Sequence, residues 1–350
     1  MKRLPKSERR IAMGYYIGID LGQQSSFWVI QDLQGVICQR MKIVNDAAVI
    51  EKALKSYLTQ SCKTVMEATT NYYWMYQTLR KLGCEVILAH PLKTRAIASA
   101  KIKNDRLDAT ILVNLLRADL IPQSYIPTED IRALREMTRQ HIRLVQIRTR
   151  IKNQCHALLV KLNLRPTEKF SDMYGKKGMA WLGEMRLPEP FEFQKHQLLD
   201  QIQYYNRLIQ HADCRIKEML KSYPQSHELF KIPGIGDLAA AMLIAEIGPM
   251  DRFPSPKQLI GYSGLAPGLY ESGKTSHARG ITHEGNKFLR WILCEVVQIH
   301  VRKPGPLRNF YLRLKDKKGH GKALVATARK FLIHIYYILK DSKVSPVFAG

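Results

Sequence analysis

The sequence predicts an α/β fold plus α: an α/β domain followed by a mainly helical remainder of the 350-residue chain. Three observations carry this. Residues 15–43 alternate apolar and polar positions in three runs, YYIGID, SSFWVIQD and GVICQRMKIV, parted by polar turns at Gly22–Gln24 and Asp32–Gly35. Short apolar runs then alternate with helical periodicity as far as about residue 120. Beyond about residue 129, apolar residues recur three and four apart, the spacing of a coiled-coil seam.

The elements follow in order. MKRLPKSERR makes residues 1–13 a basic arm, and an α/β domain occupies 14–125. After the three-strand meander, Asn45 and Asp46 offer caps for a helix over about 47–60, with Val49, Ile50, Ala53, Leu54, Tyr57 and Leu58 on its apolar face. A short buried strand, Thr64–Met66, closes on Glu67. A helix over about 71–82, a strand at Glu85–Ala89 and a helical stretch from Leu92 to Leu120 complete the domain. An RNase H-like sheet requires this order, and doubly wound folds share its second half.

Residues 126–224 predict a helical hairpin. Met137, Leu144, Ile147, Ile151 and Leu158 mark one stripe, and Leu198, Ile202, Tyr205, Ile209, Ala212, Ile216 and Met219 a cleaner one. The spacing serves pairing within one chain or between two equally. Residues 165–193, with Pro166, Gly175, Gly178, Pro188 and Pro190, form a connector with room for one short helix.

Residues 225–350 predict a mainly helical third domain. IPGIGDLAAAMLIAEIG at 232–248 has the form of a helix-hairpin-helix. Gly234 and Gly236 would let the backbone approach phosphate in front of a helix N-terminus, or would simply make a tight turn. Residues 251–290, rich in Gly, Ser and Pro, are expected as a long functional loop. An amphipathic helix from Asn286 to His300 and a basic, apolar helix over 322–340 end the chain.

Lys and Arg total 55 against 30 acids, a formal charge of +25. The excess is +6 in residues 1–130, +9 in 131–224 and +10 in 225–350, so it does not belong to one tail. Such a field favours a polyanion, and nucleic acid above all. No apolar run reaches the roughly 18 residues of a membrane span, and none follows the basic N-terminus as a signal peptide requires. Six cysteines at wide intervals, without a CxxC pair, argue against zinc and disulfides and for a reduced, cytoplasmic setting.

Two constellations carry chemistry. Asp20 and Glu67 each end a buried strand, and Asp105 and Asp108 stand three apart in KNDRLDA, on one face if that stretch is helical. Four hard oxygen donors without His or Cys suit Mg²⁺ or Mn²⁺, which in pairs drive phosphoryl transfer. Each acid also has a plainer reading: a capping Asp20, a solvent-facing Glu67, and pairing of the two aspartates with Lys103 and Arg106. The second constellation is Ser272 among Lys274, His277, Arg279, Lys287 and Arg290. A serine hydroxyl needs a base or metal to become a nucleophile, and by its residues alone SG reads as a turn.

The motifs YIGIDLG, VMEATTNYYW, KNDRLDA, IPGIGDLAAAMLIAEIG, RFPSPKQLIGYSGLAP and ESGKTSHARGITHEGNKFLRW resemble those of the insertion-sequence-110 family of transposases. These are DEDD-type recombinases related to the Piv invertase, and the resemblance covers nearly the whole chain. It implies a RuvC-like domain, a coiled coil and a C-terminal transposase domain. It also implies a structured bridge RNA that pairs with target and donor DNA, and a homodimer or homotetramer. By motif, the acidic tetrad falls on Asp20, Glu67, Asp105 and Asp108 and the nucleophilic serine on Ser272. Phosphate contacts are expected at Gly234, Gly236, Lys274, Arg279, Lys287 and Arg290. A metal-dependent nuclease of branched DNA and a non-catalytic nucleic-acid scaffold remain the rivals.

Overall fold

The computed structural model describes residues 14–58, 60–97, 105–166, 170–272, 275–281 and 285–341. The basic arm lies outside them. The chain divides into two compact units, residues 1–126 and 127–350.

The first unit is built on a mixed five-stranded sheet. Strands β1 (Gly14–Asp20), β2 (Ser25–Gln31), β3 (Ile37–Val44), β4 (Ser61–Glu67) and β5 (Glu85–Ala89) stand in the order β3-β2-β1-β4-β5. β2 is antiparallel to β1 and β3, whereas β4 runs parallel to β1 and β5. Helices α1 (Ala47–Leu54), α2 (Tyr72–Lys81), α3 (Pro91–Ile97) and α4 (Asp105–Arg117) complete it. The strand alternation sorts the two faces. Ile17, Ile19, Trp28, Ile30 and Met66 pack with Ile50 and Leu54 of α1 and Met75 and Leu79 of α2. On the other face, Val65 meets Leu112 and Leu116 of α4, and Val29 meets Ala109 and Val113.

The second unit is helical apart from one hairpin among the described residues. α5 (Glu129–Lys161) and α7 (Phe191–Leu220) pack along each other, so the heptad seam closes within the chain. Leu144 meets Ile209 and Ala212 on this seam, and Ile151, Cys155 and Leu158 meet Leu198 and Ile202. Two polar pairs cross it, Arg148 to Asn206 at 2.8 Å and His141 to Asp213 at 2.9 Å. The connector holds α6 (Lys176–Glu184).

After the short α8 (Ser226–Phe230) comes α9 (Asp237–Ile247), buried on every side from Ala239 onward. A helix apolar all round must be enclosed, and α5, α7 and the later helices α11 (Lys287–His300) and α13 (His320–Asp341) pack around this region.

Residues 251–290 correct the long-loop expectation. Pro256, in the first turn, starts α10 (Pro256–Ser263), and Gly264 ends it in the left-handed conformation at φ +70. β6 (Pro267–Ser272) and β7 (Thr275–Ile281) then pair as an antiparallel hairpin. Backbone pairing, without an apolar alternation, makes this hairpin, which is why its Gly- and Ser-rich composition reads as loop. α12 (Pro306–Lys318) is a further helix that the sequence does not announce, because only Leu307 and Tyr311 are buried along it.

Candidate active site

Asp20 and Glu67 are the last residues of β1 and β4. The parallel register runs to Ile19 opposite Met66, so the two acids are the next residues of neighbouring strands. Adjacent strands lie about 4.8 Å apart, and equal register sends both side chains to one face. By alternation from Val65, that face is the one α4 covers.

Glycine at position 18 sets how α4 lies. A Cβ there would stand 2.3 Å from the Ala109 carbonyl oxygen and 2.8 Å from the Val113 nitrogen, so helix backbone rests directly on the strand. One end of α4 is fixed by Arg117, whose guanidinium stands where a Cβ on Gly35 would be, in the β2–β3 turn. Farther along, Asn114 accepts a 2.8 Å hydrogen bond from Gln31, which is paired with Tyr16. The helix therefore runs antiparallel to β1, with its N-terminus toward the strand ends that carry Asp20 and Glu67. Asp105 is its first residue and Asp108 lies one residue before Ala109. The Asp105 side chain lies outside the described part of the structure.

The loop between β1 and β2 is held by two asparagines that sequence reasoning gave no role at the site. Asn45 and Asn71 each donate a side-chain N–H to the Gly22 carbonyl at 2.9 Å. Asn45 also donates to Gln23 at 3.1 Å and accepts from the Ser26 hydroxyl at 2.6 Å. Asp46 alone caps α1, accepting from the amides of Ala48 and Val49. A backbone carbonyl gripped from two sides cannot drift, so the turn leaving Asp20 is fixed.

The other expected residues belong to the second unit. Ser272 ends β6 opposite Thr275, and the connection, with Lys274, lies outside the described residues. Arg279 lies on β7. Lys287 is exposed, its ammonium 5.3 Å from the centre of the Phe288 ring, and Arg290 donates to the Ser263 carbonyl at 3.3 Å. Gly234 has a reason internal to the fold: its φ is +96, and a Cβ would press on Val296 O and Ile299 of α11 at 3.0 and 3.3 Å. Gly236 precedes α9 with open space where a Cβ would point.

A further residue missed by the sequence reading is Glu246, fully buried in α9. Its carboxylate accepts from Arg139, and Asn286 donates to it at 2.6 Å while capping α11 through the amides of Phe288 and Leu289. The only signal was an acid inside an apolar helix.

The acidic set has the donor chemistry for a hard divalent cation: two carboxylates end neighbouring strands, and the helix that carries Asp105 and Asp108 starts toward those strand ends. Among the described residues, no three or more His, Cys, Asp or Glu side chains are grouped closely enough to hold an ion. Asp20, Glu67 and Asp108, whose side chains are described, therefore do not by themselves make such a group.

Residues 17–164 match a DEDD-type transposase model of the IS110 group, and residues 226–312 match the transposase IS116/IS110/IS902 family. The chain belongs to this transposase family. The transposase is 26% identical over 82% of its length to the transposase for insertion sequence element IS1328 of Yersinia enterocolitica, covering 84% of that protein. It is 25% identical to the transposase for insertion sequence element IS1111A of Coxiella burnetii, over 76% of its own length and 74% of that protein. The pilin gene-inverting protein of Moraxella bovis is 28% identical over 41% of the transposase and 47% of its own length. The transposase is thus a DNA phosphoryl-transfer enzyme. The acids lie in the first matched region and Ser272 in the second. No helix among the described residues is long and apolar enough to cross a membrane.

Proposed function

We propose that this transposase breaks and rejoins DNA strands through a covalent phosphoserine intermediate at Ser272. The observation that carries the reading is the pair of carboxylates, Asp20 and Glu67, at equal register on parallel strands beneath the N-terminal end of α4. The strand order with one antiparallel strand beside β1 supports an RNase H-like, RuvC-like first domain.

Asp20, Glu67, Asp105 and Asp108 would hold Mg²⁺ or Mn²⁺, which when bound supplies charge neutralisation at a phosphodiester and acidifies a coordinated hydroxyl. Asn45 and Asn71 keep the turn after Asp20 in place, and α4 presents its two aspartates on one helical face. Ser272 Oγ forms a bond to the scissile phosphorus as the bond to the DNA 3′-oxygen breaks, and the proton given up by Oγ is made good at that oxygen through solvent, so a 3′-hydroxyl departs. The phosphoserine ester keeps the energy of the broken phosphodiester, so a new 3′-hydroxyl can displace the serine and reseal the strand without an external energy source. Lys274, Arg279, Lys287 and Arg290 contribute positive charge around the phosphates.

The reading extends to a structured bridge RNA that pairs with target and donor DNA, a homodimer or homotetramer, and action in the cytoplasm. Incubation with DNA and Mg²⁺ should yield an SDS-resistant protein–DNA complex. Ser272→Ala should abolish it, and Asp20→Asn should abolish it while leaving DNA binding intact. Chelation of the metal should act as Asp20→Asn does. Hydrolysed ends without an adduct, or an adduct that survives Ser272→Ala, would remove the serine from the reaction.

A further inference from the structure

A long run of positive charge lies on none of the site residues named above. Residues 302–330 contain ten lysines and arginines and a single acid, Asp316. Their surplus of nine accounts for nearly all of the surplus of ten in residues 225–350. Most of the segment lies beyond residue 312, where the second family match ends.

The fold turns this stretch into one surface. α12 buries Leu307 and Tyr311 and packs along α13, leaving Arg313, Lys315, Lys317 and Lys318 exposed. Lys322 and Lys330 of α13 are exposed as well. The Phe310 ring ties the two helices: Lys330 Nζ stands 4.5 Å and Arg313 Cζ 5.6 Å from its centre. None of these six cations enters an ion pair among the described residues. Three of them sit in the last turn of α12, where the helix dipole favours cations. The dipole gives no reason for Lys322 or Lys330, or for the near absence of acids. Like charges this close repel one another, and an external polyanion relieves that cost.

We propose that the exposed face of α12 and the first turns of α13 grip the phosphate backbone of duplex DNA. The 13 residues of α12 span about 20 Å, enough to meet several consecutive phosphates. Single-stranded binding would call for open aromatic platforms, and the ring here, Phe310, is half-buried beneath cations. DNA is chosen over RNA because the family acts on DNA. The proposal rests on that membership and not on the chemistry of Ser272.

The test uses the full-length protein, a labelled duplex of mixed sequence and binding measured across a salt series. One variant carries Arg313→Gln, Lys315→Gln, Lys317→Gln and Lys318→Gln. A control removes four exposed cations of the first unit, by Lys42→Gln, Lys52→Gln, Lys55→Gln and Lys81→Gln. Glutamine keeps helix propensity, and circular dichroism confirms the folding of each protein. The α12 variant should flatten the slope of log K against log salt by about 3–4 and weaken binding at least about tenfold. The control should change the slope by less than about 1. Equal losses in both variants would mean a diffuse field and overturn the proposal. A loss confined to duplex RNA or single-stranded DNA would overturn it too. Ser272→Ala should bind duplex as the unaltered protein does, so failure of the adduct chemistry and failure of this surface read out separately.

Discussion

Arg139 and Glu246 form a two-armed ion pair, with Nε donating to Oε1 at 2.9 Å and a second guanidinium nitrogen donating to Oε2 at 3.0 Å. Arg135 approaches the same carboxylate at 3.4 Å and donates to the Ala245 carbonyl. With Asn286 and Tyr262, which donates to the Glu246 carbonyl at 3.0 Å, the pair joins α5, α9, α10 and the start of α11.

Removing one partner leaves a buried charge uncompensated. Glu246→Ala should lower stability by about 3–5 kcal/mol in urea unfolding. Glu246→Gln, which keeps an acceptor for Arg139, should cost less. Equal midpoints for Glu246→Ala and the unaltered protein would mean that the network carries no stability.

Gly18→Ala places a methyl group 2.3 Å from the Ala109 oxygen, so α4 must lift from the sheet. Overpacking of this kind costs about 1–3 kcal/mol. Strand cleavage should fall much further than duplex binding, since the aspartates of α4 move with the helix. Cleavage that follows stability alone would show that the α4 position is not critical.

The first unit was largely legible, because period-two alternation and short connections fix strands whose faces are both covered. β5 falls at Glu85–Ala89 as expected, and β1 and β2 differ by a residue. What escaped are contacts that no local pattern encodes. Asn71 stands where a helix cap belongs, yet its side chain makes no cap bond and reaches Gly22 instead. Glu246 and its arginines are 107 and more residues apart. The β6–β7 hairpin and α12 lacked the apolar periodicity that announces an element, one made by backbone pairing and the other mostly solvent-facing.

Asn71→Ala removes one of the two donors to the Gly22 carbonyl. The stability loss should be about 0.5–1.5 kcal/mol. The metal concentration giving half-maximal cleavage should rise, with duplex binding unchanged. An unaltered metal requirement would separate this turn from the acidic site.

Glu192 accepts from Lys195 at 3.0 Å and from the Leu187 amide at 2.7 Å, which holds its carboxyl down at about 2. The folded value lies below the unfolded one of about 4.3. Its contribution is therefore complete above that value and is lost as pH falls toward 2. Urea midpoints should decline over this window, and Glu192→Gln should flatten the decline. Equal declines would assign the acid sensitivity to other carboxylates.

The amides that clasp Gly22 come from 23 and 49 positions downstream. Neither reaches its acceptor until β3 and β4 have docked beside the central strands, so this corner sets only after non-local pairing is complete. A nascent or partly assembled chain would keep the corner loose, and with it the turn that leaves Asp20. On the proposed reading, competence to cut DNA would then arrive together with the finished sheet.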